Sequence, residues 1–176
     1  MTIRLPTELE GCFLRSWSET DTHELVGIAN NREVWRNLTE LFPHPYTEED
    51  ARFWVRHANA PSASLHLAIE FRGVLVGAVG IVAGQGIHER TGQFGYWVGE
   101  PFWGKGIATA AARTMVQHAS ASLPFARLEA AVFAWNPKSM RVLEKLGFVR
   151  EGVLRRSVFK DGELIDSVMY AYVAGV

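Results

Sequence analysis

Apolar residues recur at helical spacing twice in the first third of the chain. Leu25, Ile28 and Ala29 share one face behind Asp21, which is placed to cap a helix while Glu24 reaches back to complete the capping box. Ala51, Trp54, Val55 and Ala58 form the stripe of a second helix, capped by Thr47 and closed before Pro61. Residues 13–17 read as a short opening strand. Pro43 and Pro45 hold Phe42 to Tyr46 extended between the two helices.

From Leu65 the period changes to that of strands. Residues 65–71 alternate in part, Arg72-Gly73 supplies a turn, and residues 74–82 are a glycine-broken apolar run; together they predict a hairpin. After a loop at 84–90, residues 93–98 return as a third antiparallel strand. Ile107, Ala111, Met115 and Ala119, flanked by Ala108, Ala112 and Val116, then give a helix a wide apolar stripe for burial on a sheet. The mostly apolar run 128–134 follows at strand length, as a parallel neighbour of 93–98 would. Asn136 and Pro137 open another helix as cap and first residue, and Gly147 ends it. Residues 148–159 and 164–173 fold back on each other about Asp161-Gly162. Strands first, crossover helices in the middle and a closing hairpin describe one α+β domain over residues 1–176, with a mixed, mainly antiparallel sheet flanked by helices.

Composition narrows the function classes. A hydrophobic fraction of 48% with 21% charged residues is that of an ordinary folded domain, and leaves no case for disorder. The net charge of −1 argues against nucleic acid, because a protein gripping phosphates carries an excess of basic residues. Cys12 is the only cysteine and reads as a small buried hydrophobe, so no intrachain disulfide is available. Residues 1–10 lack the apolar run of a signal peptide, and residues 74–83 are too short and glycine-rich to span a bilayer. A soluble, cytoplasmic protein with no membrane contact is expected. The six histidines are too scattered to form a metal-binding pair, so no metal is expected.

The chemistry concentrates where the strand Gly95-Tyr96-Trp97-Val98 turns through Gly104 and Gly106 into the helix opening at Ile107. Glycine lets the backbone approach a bulky anion, and a helix start presents unpaired N–H groups with the positive end of the dipole. A pyrophosphate fits such a cradle. Gly104-x-Gly106-x-x-Thr109 falls one glycine short of the dinucleotide fingerprint, and three antiparallel strands ahead of it are not the parallel unit which that fingerprint needs. A tight turn that binds nothing is the competing interpretation.

Trp103-Gly104-Lys105-Gly106-Ile107-Ala108-Thr109, followed by Asn136-x-x-Ser139 and Leu143-Glu144-Lys145-Leu146-Gly147-Phe148, resembles the acetyl-CoA-binding core of the GNAT superfamily, in its RimJ/RimL-like branch. The resemblance implies that strand 93–98 splays from strand 128–134. It implies that the pantetheine arm of acetyl-CoA bonds to backbone at Tyr96, Trp97 and Val98, with Val98 N–H also facing the developing oxyanion. Backbone N–H groups of Trp103, Gly104, Lys105, Gly106, Ile107 and Ala108 would hold the diphosphate, with the Lys105 charge beside them, and Asn136 would reach the pantetheine amide. Gly95 is compatible with a local bulge. Many members carry a tyrosine where this chain has Leu143; RimJ/RimL-like members offer a serine instead, here Ser139, to protonate the leaving sulfur.

The implied activity is N-acetyl transfer to a primary amine: a protein N-terminus, or a small amine such as an amino acid, polyamine or aminoglycoside. By the same resemblance residues 23–60 cover the acceptor, which makes Trp35, Phe42, His44, Tyr46 and Trp54 candidate contacts. Glu129, Glu100, His66 and Asp166 are conceivable bases, and each reads first as structural. The rival from another class is a non-catalytic acyl-CoA sensor, and a nicotinamide enzyme is a weaker third. Exposed apolar edges on the closing hairpin suit a homodimer.

Overall fold

The computed structural model describes residues 2–174. Strands β1 (Arg4–Pro6), β2 (Cys12–Arg15), β3 (Leu65–Phe71), β4 (Val74–Ala83), β5 (Thr91–Val98), β6 (Arg127–Phe133), β7 (Val149–Lys160) and β8 (Glu163–Val173) form one eight-stranded sheet in the order β1-β2-β3-β4-β5-β6-β8-β7. Only β5 and β6 run parallel. The expected α+β architecture, a mixed and mainly antiparallel sheet between helices, is therefore the observed one.

Helices α1 (Asp21–Ala29) and α3 (Glu48–Asn59) pack on one face, where Leu25, Ala29, Ala51 and Val55 meet Ala68, Leu75 and Ala78. On the other, α4 (Ile107–Ser122) buries Ile107, Ala111, Met115 and Ala119 against Leu67, Val79, Ile81 and Phe94, with α5 (Pro137–Lys145) adding Leu143. Small alanines let α4 sit close to the strands, so burial of this stripe is the main term holding the cradle helix in place. A short α2 (Arg32–Trp35), capped by Asn31, joins α1 to the proline segment. Among the described residues no helix is long and apolar enough to cross a membrane.

Three local expectations need correction. Thr47 and Asp50 do form a capping box on α3, but α1 begins without a side-chain cap. Asp21 is buried and takes both outer guanidinium nitrogens of Arg15 at 2.8 Å, while Glu24 accepts the Leu75 N–H at 2.8 Å. Both carboxylates tie α1 to the sheet, and a buried acid is worth more against a guanidinium than against one backbone N–H. Second, β1 carries no sequence signal: three residues have no period, and pairing with β2 forms it. Third, no bulge falls at Gly95, since the β4–β5 register runs unbroken through it. A bulge lies instead on the neighbouring β4, where Ile69 faces Gly77 and Glu70 faces Leu75, leaving Val76 extra.

The closing hairpin turns at Asp161 and Gly162, both with positive φ, as its turn signal requires. Phe159, Val149 and Leu154 on the edge strand β7 are exposed.

His66 on β3 sits under α3, edge-on to Trp54 at 5.2 Å and 5.7 Å from the ring of His57. Burial first, and His57 second, hold its pKa below the ordinary 6.5. The unfolded chain therefore takes up this proton more readily than the folded one. The contribution to stability is complete above pH 6.5 and is lost as pH falls from there towards the folded-state value. The thermal midpoint is expected to drop between about pH 7.5 and about pH 5, and His66→Gln to flatten that slope. An identical slope in the variant would contradict this.

Candidate active site

β5 and β6 are paired only at Thr91 with Arg127, Gly92 with Leu128 and Gln93 with Glu129. Beyond Gln93, β5 stays with β4 as far as Val98 while β6 stays with β8 as far as Phe133. The two strands part, and the facing edges have no strand between them. Gly99 N–H donates to the Val76 carbonyl at 2.8 Å, so strand alternation turns the N–H groups of Val98 and Tyr96 away from β4 and into the gap. The Trp97 carbonyl, in contrast, lies against Gly77 of β4. Backbone contact to an inserted ligand is therefore open to Tyr96 and Val98 but not to Trp97, whose backbone belongs to the β4 ladder.

Past Val98 the chain makes one 3-10 turn (Glu100–Phe102) and enters α4 through Gly104 (φ 75°) and Gly106 (φ 78°). Both φ values lie in the left-handed region, where a Cβ is strained, which is why glycine stands there. Trp103 departs from expectation: its N–H donates to the Glu100 carbonyl at 3.1 Å, and its indole Nε1 to the Val98 carbonyl at 2.6 Å. Its backbone is occupied, and its ring braces the end of β5. The N–H groups of Gly104, Lys105, Gly106, Ile107 and Ala108 have no partner among the described residues; the ladder of α4 starts with Ala110 N–H on the Gly106 carbonyl. Unpaired donors at the start of a 16-residue helix fit a diphosphate. The Lys105 ammonium leans over the Phe102 ring at 5.3 Å.

α5 faces this slot with its N-terminus. Asn136 Oδ1 accepts the Ser139 N–H at 3.2 Å, which caps the helix and fixes Ser139 in its first turn. Ser139 Oγ lies 2.9 Å from the Tyr96 hydroxyl, linking α5 to β5 across the gap. Burial pushes the Tyr96 phenol up to about 12, partly offset by the Ser139 bond, so it stays protonated at neutral pH. Leu143 is fully buried in the core. The family resemblance implies a role for Tyr96 only through its backbone; its hydroxyl contact spans 43 residues and leaves no local signal.

On the opposite face of β5 the Trp97 ring meets Phe42 at 5.3 Å, and Phe42 meets Tyr46 at 4.9 Å. Trp35 stacks on His44 at 5.4 Å. The buried Lys160 at the hairpin tip puts its ammonium 3.7 Å from the Trp35 ring and 3.0 Å from Glu40, and Arg32 reaches Asp161 at 2.6 Å. These contacts strap the α2 segment to the β7–β8 turn. Trp54 is not part of this group; it packs under α3 against Trp17 at 6.2 Å. The conceivable bases all have structural partners or cover. Glu100 accepts from Asn31 at 2.7 Å, Glu129 pairs with Arg127 at 3.3 Å, Asp166 accepts the Arg156 N–H at 2.7 Å, and His66 lies beneath α3. Among the described residues no three His, Cys, Asp or Glu side chains are grouped to hold a metal ion.

An opened strand pair leading to a helix-capped cradle has the form of a site for a long ligand with an anionic end. Residues 12–149 match the family model described as Acetyltransferase (GNAT) domain, and the chain belongs to the GNAT acetyltransferase family. An uncharacterized N-acetyltransferase of Bacillus subtilis, YoaA, is 33% identical over 182 residues, covering 94% of this chain and 95% of the relative. The L-amino acid N-acetyltransferase AaaT of Escherichia coli is 28% identical over 158 residues, covering 89% and 94%. In fold, the chain is similar to RimL, a ribosomal L7/L12 alpha-N-protein acetyltransferase solved in complex with coenzyme A. The TM-score is 0.85 with 98% of each chain covered, at 20% identity, so that likeness speaks for the fold alone.

Proposed function

We propose that this protein is an acetyl-CoA-dependent N-acetyltransferase acting on a primary amine, either a protein N-terminus or a small amine such as an amino acid. The observation that carries this is the row of unpaired N–H groups from Gly104 to Ala108, continuous with the open edge of β5. In this arrangement Gly104, Lys105, Gly106, Ile107 and Ala108 hold the diphosphate through backbone, and Tyr96, Val98 and Asn136 hold the pantetheine arm. Acetyl-CoA supplies the activated acyl group. Val98 N–H faces the carbonyl oxygen as it gains charge, and Ser139 Oγ faces the sulfur.

The attacking nitrogen must be neutral, whereas an alkylamine with a pKa of about 10.4 is mostly protonated at neutral pH, so its proton has to leave before attack. As the N–C bond forms, the C–S bond breaks with its electron pair on sulfur, and the second nitrogen proton passes to solvent or to that sulfur. The aromatic wall of Trp35, Phe42, His44 and Trp97 lines the acceptor side.

Thiol release from acetyl-CoA across free amino acids, polyamines, aminoglycosides and N-terminal peptides tests the proposal. Turnover with at least one amine class is expected. Tight coenzyme binding with no release for any of them would favour a sensor. With a competent acceptor, Ser139→Ala is expected to lower kcat by about 10- to 100-fold, the worth of a hydrogen bond to a charged group. An unchanged rate would remove Ser139 from the reaction.

A further inference from the structure

Ser139 Oγ has one protein partner among the described residues, the hydroxyl of Tyr96 at 2.9 Å. Either oxygen can be the donor, and the two choices have opposite consequences. If Ser139 donates, its proton is spent on the phenol and nothing is left for a ligand. If Tyr96 donates, the serine proton has no protein acceptor and is free to turn into the gap. The surroundings favour the second choice. A phenol that accepted from Ser139 would have to place its own proton on the Ser139 carbonyl, 3.2 Å away. That carbonyl lies in the first turn of α5, where helix geometry also offers it the N–H four residues on, so the phenol would be its second donor. The Oγ contact is the shorter at 2.9 Å, whereas 3.2 Å lies beyond the usual O–H···O range of about 2.5–3.0 Å.

We infer that Tyr96 is the positioning residue of the site: its hydroxyl donates to Ser139 Oγ and thereby aims the serine proton at the sulfur leaving acetyl-CoA. The inference rests on the reading of Ser139 as the group that meets that sulfur. Tyr96 keeps its proton in the process. A phenol held near 12 is a weaker acid than a thiol of ordinary pKa ~8.5, so a thiolate does not take the Tyr96 proton through the serine. Ser139 stabilises the thiolate with a hydrogen bond, and Tyr96 prevents the serine from turning back on the protein. Asn136, by holding the Ser139 N–H at 3.2 Å, fixes the backbone from which this pair works.

The test reads the thiol of bound coenzyme A directly, through the ultraviolet absorbance of its thiolate during a pH titration, in the wild type, Tyr96→Phe, Ser139→Ala and the double variant. A hydrogen bond to the thiolate lowers the thiol pKa, so each single variant is expected to titrate about one pH unit above the wild type, with the double variant no higher than Ser139→Ala. With a competent acceptor, Tyr96→Phe should lose about tenfold in kcat at an unchanged KM for acetyl-CoA, and nothing further in the Ser139→Ala background. A thiol that titrates identically in Tyr96→Phe and the wild type, or a raised kcat in that variant, would overturn the inference by showing that the phenol had been consuming the serine proton. If Tyr96→Phe loses coenzyme binding through a packing defect, Ser139→Ala decides: no change in its thiol titration removes the serine from the sulfur, and the inference with it. Failure of the wild type to bind coenzyme A would instead overturn the proposed function.

Discussion

Gly106→Val is expected to weaken coenzyme A binding about 100-fold, which corresponds to roughly 2.7 kcal/mol. Gly106 has φ 78° and caps α4 from the left-handed region, and nothing in the protein lies within 4 Å of where its Cβ would be. A Cβ there meets no other part of the fold, so the penalty falls on the backbone conformation of the cradle. A β-branched residue in this conformation is strained by roughly 1–2 kcal/mol, which the loop relieves by turning Gly106 and Ile107 N–H out of line. Isothermal titration with coenzyme A checks this, with a thermal midpoint only a few degrees below the wild type as the accompanying result. An unchanged dissociation constant would mean that the cradle amides hold nothing.

Gly77→Val is expected to cost about 3–4 kcal/mol of stability and to lower the thermal midpoint by about 10 °C. A Cβ on Gly77 would overlap the Trp97 carbonyl and come within 2.9 Å of Val98 Cα. Both are backbone atoms of β5, so no side-chain rotation relieves the clash, and the strand that bounds the slot has to move off β4. Gly95, two residues before Trp97 on the same strand, has nothing within 4 Å of its Cβ position, and Gly95→Ala should leave the midpoint nearly unchanged. Thermal denaturation of the pair is the check; equal destabilisation by both would show that close approach at Gly77 is not what shapes the slot.

Elements specified by residues near in sequence were legible. The stripes of α3 and α4, the Thr47 and Asn136 caps, both hairpins and the glycine cradle all follow from spacing over a few residues, and each stands where the pattern placed it. What spacing could not carry was the choice among distant partners. Asp21 and Glu24 have the pattern of a capping box, yet Arg15 and Leu75 N–H claim them, and only the folded sheet brings those groups near. In the slot, which backbone groups of β5 stay open is a matter of strand register: Trp97 and Val98 are neighbours in sequence but face opposite edges. The Tyr96–Ser139 contact and the Lys160–Trp35 strap depend in the same way on the β5–α5 and β7–α2 juxtapositions. The bulge looked for at Gly95 shows the limit of reading a glycine alone, since the extra residue is Val76 on the next strand.

A crystal structure of the protein with coenzyme A is the most direct measurement of all. The diphosphate is expected within hydrogen-bond distance of the N–H groups of Gly104 to Ala108, with the pantetheine arm along the open edge of β5 and the sulfur beside Ser139. Coenzyme A bound elsewhere, with those amides left to solvent, would contradict the proposed function at its base.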